Sequence, residues 1–197
     1  MRIRNDIEQR SLEWYAIRLG KITSTSFATL ANGKPDTIRD LCWKIAKERI
    51  DRVAYDGLFV SEDMQHGIDT EPEALAAYSL DQWAVPRTVG FCEYSDYFGF
   101  SPDALIGDDG GVEIKCPTKK TNKKYLEKDD AWKAYKWQIQ GSLYMSERKW
   151  WDFVSYCPPL PIIIERVTPD EECFEKIKNG MEICRKQIRN IVLAYAG

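Results

Sequence analysis

The chain has 197 residues, 44% of them hydrophobic, which fits a single domain with a sizeable core. Its net charge of −3 and pI near 5.4 argue against a generic basic nucleic-acid coat, and no stretch approaches the ~20 apolar residues of a membrane span. Six cysteines without a C-x-x-C pair and a single histidine, His66, argue against a zinc site; with no apolar run at the N-terminus, the expectation is a soluble cytoplasmic protein with reduced, mostly buried thiols.

In chain order, Ser11 is placed to cap a short helix that runs through Leu19 and stops at Gly20. Thr23 or Ser24 can cap a second, turn-rich helix ending before Gly33. Arg18 then lies beside a helix N-terminus carrying the hydroxyls of Ser24, Thr25 and Ser26, a combination that suits a phosphate as well as ordinary capping. Ile38, Leu41, Cys42 and Ile45 recur at helical spacing and predict a helix over 37–50 with one core face. Asp69 or Thr70 before Glu71-Pro72-Glu73-Ala74 reads as a helix start, with proline in the first turn and acids against the positive dipole end. Strands are expected over 89–94 and 97–106, and a helix carrying Gln138 over 130–147. Residues 150–157 and 161–167 supply two further strands, with Trp150 and Trp151 expected in the core rather than stacked on bases. Thr168-Pro169-Asp170-Glu171 reads as a capping box. The helix after it sets Phe174, Ile177, Met181, Cys184, Ile188, Ile191 and Tyr195 on one seam, for which packing on the parent core is preferred over a subunit contact.

The chemistry concentrates between two of these elements. On an extended strand Glu113 and Lys115 point to one face while Ile114 points to the other. The run Gly107-Asp108-Asp109-Gly110-Gly111 is hairpin turn chemistry, and folding it brings Asp103 to within about a residue of Glu113 or Ile114. Two facing carboxylates repel unless a hard divalent cation lies between them, and oxygen ligation suits Mg²⁺. An ammonium such as that of Lys115 steadies charge building on a phosphoryl group and tunes a nearby water, the two needs of phosphodiester hydrolysis. Taken alone, the pattern Asp…Glu-x-Lys is equally an exposed ion pair on a surface hairpin. Charge is also segregated: residues 53–114 hold thirteen acids against the single basic Arg87, a net of −12, whereas residues 119–136 hold seven lysines against three acids. Such a chain can hold a cation in one region and phosphates in another.

Four segments in order, Gly67-Ile68-Asp69-Thr70-Glu71-Pro72, Ser101-Pro102-Asp103, Glu113-Ile114-Lys115-Cys116-Pro117 and Gln138-Ile139-Gln140-Gly141-Ser142-Leu143-Tyr144, resemble the alkaline exonucleases related to phage lambda exonuclease, the YqaJ-like viral recombinase family. Trp14-Tyr15-Ala16-Ile17-Arg18-Leu19-Gly20-Lys21-Ile22-Thr23-Ser24 resembles the same family's N-terminal segment. The resemblance implies an α/β fold with a restriction-endonuclease-like core, a mixed β-sheet flanked by helices, in one domain. Within it the nuclease core would span about 60–168, an N-terminal helical segment 10–50 and a C-terminal helix about 169–195. It implies Mg²⁺, replaceable by Mn²⁺ and bound as two ions, on Asp103, Glu113 and the Ile114 carbonyl, with Glu71, Lys115 and Gln138 completing the catalytic set. Arg18, Thr25 and Ser101 would hold the nucleic acid, although the position of Thr25 carries serine in the family. The implied activity is 5′-to-3′ degradation of one strand of linear duplex DNA, leaving 3′ overhangs, by a ring-shaped homotrimer working with a single-strand annealing protein in phage-type recombination. A same-fold endonuclease or junction resolvase, or a catalytically silent recombination scaffold, are the alternatives; the complete acid, acid and lysine set argues against the last.

Overall fold

The computed structural model describes residues 1–54, 61–128 and 130–195; Asp56 and Asp129, both part of the charge pattern above, lie outside them. In chain order the elements are β1 (Arg2–Arg4), α1 (Leu12–Arg18), β2 (Ile22–Thr23), α2 (Phe27–Asn32), α3 (Pro35–Asp51), α4 (Glu62–Gln82), β3 (Pro86–Arg87), β4 (Phe91–Glu93), β5 (Phe98–Phe100), β6 (Ala104–Ile106), β7 (Gly110–Lys115), α5 (Lys119–Leu126), α6 (Lys136–Ser146), β8 (Trp150–Ser155), β9 (Ile163–Val167) and α7 (Glu171–Tyr195). Short 3-10 turns at Ser24–Ser26 and Ala131–Tyr135 lead into α2 and α6.

The strands form two mixed sheets where one was expected. A four-stranded sheet runs β1-β4-β5-β2 and a five-stranded sheet runs β3-β6-β7-β8-β9. The predicted strand over 97–106 is therefore broken at Ser101-Pro102-Asp103 into β5 and β6, which belong to different sheets. Proline has no N–H to give to a ladder, so the chain changes sheet there. Between α1 and α2 of the N-terminal helical segment the chain also contributes β2, parallel to β5.

Helix starts divide into those legible from caps and those that are not. Ser11 caps α1, its Oγ accepting from the Trp14 N–H, as expected. Thr23 makes no side-chain cap; its hydroxyl lies 3.2 Å from that of Thr25. The helix expected to begin at Asp69 or Thr70 begins at Glu62, capped by Ser61, and carries Pro72 in its interior. Glu71 is therefore a mid-helix residue, not an acid placed by the helix dipole. Asp170 rather than Thr168 caps α7, its Oδ1 accepting from the Cys173 N–H at 3.0 Å.

Two apolar layers sandwich the five-stranded sheet. On one face Trp151 and Phe153 of β8 join Leu143 of α6 and Phe27, Ile45 and Ile177 of α2, α3 and α7. On the other, Val112, Ile114 and Val154 pack on Ala74 and Tyr78 of α4. The α7 seam packs on this core, with Ile177, Cys184 and Ile188 fully buried, while Tyr195 is exposed and meets Trp43 edge to face. No helix among the described residues is long and apolar enough to cross a membrane.

The glycine run after β6 does two jobs. Only Gly107, with φ 49°, sits in the turn; Gly110 and Gly111 are strand residues of β7, paired in parallel with Trp150 and Trp151. A Cβ on Gly111 would stand 2.4 Å from the Trp151 ring, which is fully buried. The missing side chains make room for the indoles. Gly111→Ala is expected to destabilise the fold by about 1–3 kcal/mol through overpacking, read as a lower urea midpoint at unchanged slope. An unchanged midpoint would mean that the ring moves aside freely.

Candidate active site

Strand β7 delivers its side chains as alternation requires. Ile114 goes to the α4 layer, whereas Glu113 and Lys115 face α6. In the β6–β7 hairpin Ala104 pairs with Val112, so Asp103, one residue further out, stands level with Glu113. Its Oδ2 accepts the Ile114 N–H at 2.5 Å, which ties the first carboxylate to the strand carrying the second. Glu113 is only 3% exposed, and its Oε1 accepts from Lys115 Nζ at 2.5 Å and from Gln138 Nε2 at 2.6 Å.

The electrostatics follow from this crowding. Desolvation, followed by the Glu113 charge, pushes the Asp103 carboxyl well above the usual carboxylate range. For Lys115, burial favours the neutral amine, but the Glu113 and Asp103 carboxylates outweigh it and raise the ammonium above its ordinary value. It therefore stays charged at any working pH. Its Nζ also lies 4.9 Å from the centre of the Tyr135 ring. Cys116, the one thiol on the cavity, is pushed up to about 11 by burial and by Glu71 and Asp103, which leaves it a poor nucleophile at neutral pH.

Glu71 reaches the same space from α4 and pairs with Arg10, Nη2 to Oε2, at 2.6 Å. On the side towards the N-terminus the Arg18 guanidinium lies 3.9 Å over the Trp14 ring and 3.5 Å from Ser101 Oγ. Ser101 Oγ donates to the Gly90 carbonyl at 3.0 Å and accepts from Trp14 Nε1 at 2.8 Å. Thr25 is exposed beside them. All nine residues singled out from the sequence border one cavity of about 610 Å³. Arg10, Trp14 and Tyr135 are among the other residues on it that carry no role from sequence. Trp14 lies within the N-terminal segment that carries the family resemblance, and its indole N–H on Ser101 is seen only in the fold; nothing in sequence marks Arg10 or Tyr135.

Among the described residues no group of three or more His, Cys, Asp and Glu is arranged to hold a metal. The donors here are two carboxylates and a backbone carbonyl, all hard oxygen. A carboxyl held above its ordinary pKa beside another carboxylate is a site where added positive charge lowers the energy, so these residues fit a small divalent cation.

A family model matches residues 13–149, described as the YqaJ-like viral recombinase domain. The chain belongs to that family. Among solved structures this YqaJ-like chain is similar to the alkaline exonuclease LHK-Exo from Laribacter hongkongensis, at 27% identity over 94% of this chain and 98% of that one, with a TM-score of 0.80. The LHK-Exo complex with dAMP gives 26% identity over 94% and 96% of the two chains, with a TM-score of 0.84. A phage related exonuclease from Haemophilus somnus 129PT, 14% identical over 89% and 96% with a TM-score of 0.70, shares the fold. No curated protein matches the chain.

The raised Asp103 carboxyl makes a stability prediction. The folded chain binds that proton more tightly than the unfolded chain does, so stability declines as pH rises from the ordinary carboxylate range towards the raised value. Asp103→Asn removes the titration and keeps an acceptor for the Ile114 N–H. In chelator it is expected to melt higher than wild type at pH 8, by roughly 2–4 °C for each kcal/mol relieved, with the difference vanishing near pH 4. A lower melting temperature at pH 8 would contradict the assignment.

Proposed function

We propose that this chain is a Mg²⁺-dependent exonuclease that degrades one strand of linear duplex DNA in the 5′-to-3′ direction and leaves a 3′ overhang for single-strand annealing. That it is a deoxyribonuclease of phage-type recombination rests on its family and on the alkaline exonucleases it resembles over nearly its whole length. The observation that carries the finer reading is the convergence of nine residues from six separate segments on one cavity. A relative crystallised with dAMP, a deoxynucleoside monophosphate, accords with release of single nucleotides. Mn²⁺ should substitute for Mg²⁺, two ions are proposed, and a homotrimeric ring and an annealing protein are the proposed partners.

Asp103, Glu113 and the Ile114 carbonyl would hold the metal, with Glu71 beside them. When bound, the ion would supply Lewis-acid polarisation of the scissile phosphate and a water nucleophile available at neutral pH. Lys115 keeps a full positive charge where charge accumulates on phosphorus-bound oxygens in the transition state. Gln138 holds Glu113 through its amide N–H, leaving its carbonyl oxygen to accept from and orient an attacking water. Arg18, Thr25 and Ser101 form the wall that would receive a terminal phosphate. The exposed lysines 119, 120, 123 and 124 lie on α5, which starts at the cavity rim where Thr118 and Thr121 line it, well placed for the DNA backbone.

Lys115→Ala is expected to lower turnover by at least ~10²-fold while DNA binding persists. Linear duplexes labelled separately at each end should be digested with Mg²⁺ or Mn²⁺ and not after chelation, and Ca²⁺ should support binding without efficient cleavage. Hydrolysis in thorough chelation, or wild-type turnover in Lys115→Ala, would overturn this mechanism; nicking of closed circles would point to an endonuclease.

If Arg18 and its neighbouring hydroxyls receive a terminal phosphate, a 5′-phosphorylated duplex is degraded faster than its 5′-hydroxyl twin, and Arg18→Ala erases that preference more than it slows the chemistry. Initial rates on both substrates at one salt concentration measure this. Equal wild-type rates would remove the phosphate pocket.

A further inference from the structure

Residues 8–11 form a turn closed by the Ser11 N–H on the Glu8 carbonyl at 3.2 Å. Its third residue, Arg10, has φ 71°, the left-handed conformation that glycine or asparagine adopts at least cost. The turn is clamped on both sides. Gln9 Nε2 donates to the Val89 carbonyl at 2.9 Å and to the Pro102 carbonyl at 2.8 Å, one residue before Asp103, and Ser11 caps α1. A fixed backbone therefore aims the Arg10 side chain at the cavity, where Nη2 meets Glu71 Oε2.

Stability does not account for an arginine here. The ion pair is open to solvent, with Arg10 38% and Glu71 26% exposed, and pairs of that kind contribute little. The backbone strain opposes it. Arg10 also borders an adjoining cavity of about 360 Å³ that shares Arg18 and Thr25 with the first, so it stands between the carboxylates and the phosphate wall. A guanidinium carries five N–H donors, and the bond to Glu71 uses one.

We infer that Arg10 is a positioning residue that bridges Glu71 to a backbone phosphate of the bound strand, coupling DNA capture to the placement of that carboxylate. The inference rests on the nuclease reading above. It separates two properties that a structural residue would move together.

Arg10→Gly suits the turn and is expected to raise the melting temperature by roughly 2–4 °C. The same variant should lower kcat at saturating linear duplex by at least about tenfold. With Ca²⁺ in place of Mg²⁺, its slope of log affinity against log salt should shrink by about one contact. Arg10→Lys keeps a point charge without the fork, so it should restore the salt slope and only part of kcat. Wild-type kcat and salt slope in Arg10→Gly, beside an active wild type, overturn this inference alone. A fall in kcat matched by loss of folded protein overturns it as well, since the role is then structural. No Mg²⁺-dependent cleavage by wild type removes the nuclease reading and this inference with it.

Discussion

Two carboxylates held level with each other by the register of a hairpin set the terms for everything around them. Because Ala104 pairs with Val112, Asp103 cannot retreat from Glu113 without breaking the β6–β7 ladder, and its bond from the Ile114 N–H fixes it further. The surrounding groups answer that repulsion. Lys115 and Gln138 both donate to one oxygen of Glu113, and Arg10 neutralises Glu71 at the next carboxylate along. Stability alone would not arrange charges this way. Parallel pairing with β8 then sets the floor, with Gly110 and Gly111 leaving space for the two indoles.

Glu71 is delivered from the opposite layer, and its aim depends on an anchor two helical turns away. Tyr78 lies seven residues on, on the same face of α4, and its hydroxyl donates to the buried Asp152 at 2.8 Å. Arg166 completes the arrangement, with Nε and Nη2 each 2.8 Å from an Asp152 oxygen, and stacks on Trp150. The buried charge on β8 is thus paired twice, and α4 is fixed in rotation against the sheet. Pro72, beside Glu71, withholds the N–H that the Ile68 carbonyl would otherwise accept, an irregularity placed where the helix meets the cavity.

Local signals were legible where local physics decides. The Ser11 cap, the helical stripe from Ile38 to Ile45, the alternation of Glu113, Ile114 and Lys115, and the level of Asp103 all depend on neighbours close in sequence. What could not be read depends on distant partners. Pro72 looks like a first-turn proline until Ser61 is seen capping the helix three turns earlier. Gly110 and Gly111 look like turn residues until Trp150 and Trp151 occupy the space above them. The break at Pro102 separates two sheets, and nothing in a run of strand-forming residues announces two. Arg10 gave no turn signal because its side chain is the wrong one for its backbone.

The hydrogen bonds that close the cavity link residues far apart along the chain. Trp14 reaches Ser101 across 87 positions and Gln9 reaches Pro102 across 93. Arg10 waits 61 positions for Glu71. During synthesis the N-terminal wall therefore leaves the ribosome long before the hairpin that gives it something to hold, and Gln138 follows later still. Contacts of such separation form after local ones, since the loop they close must first be gathered. Assembly of the pocket is consequently a late event in the life of the nascent chain, and a polypeptide halted before β7 would carry every group of the phosphate wall yet lack Glu113 and so have no complete set of carboxylates to use with it.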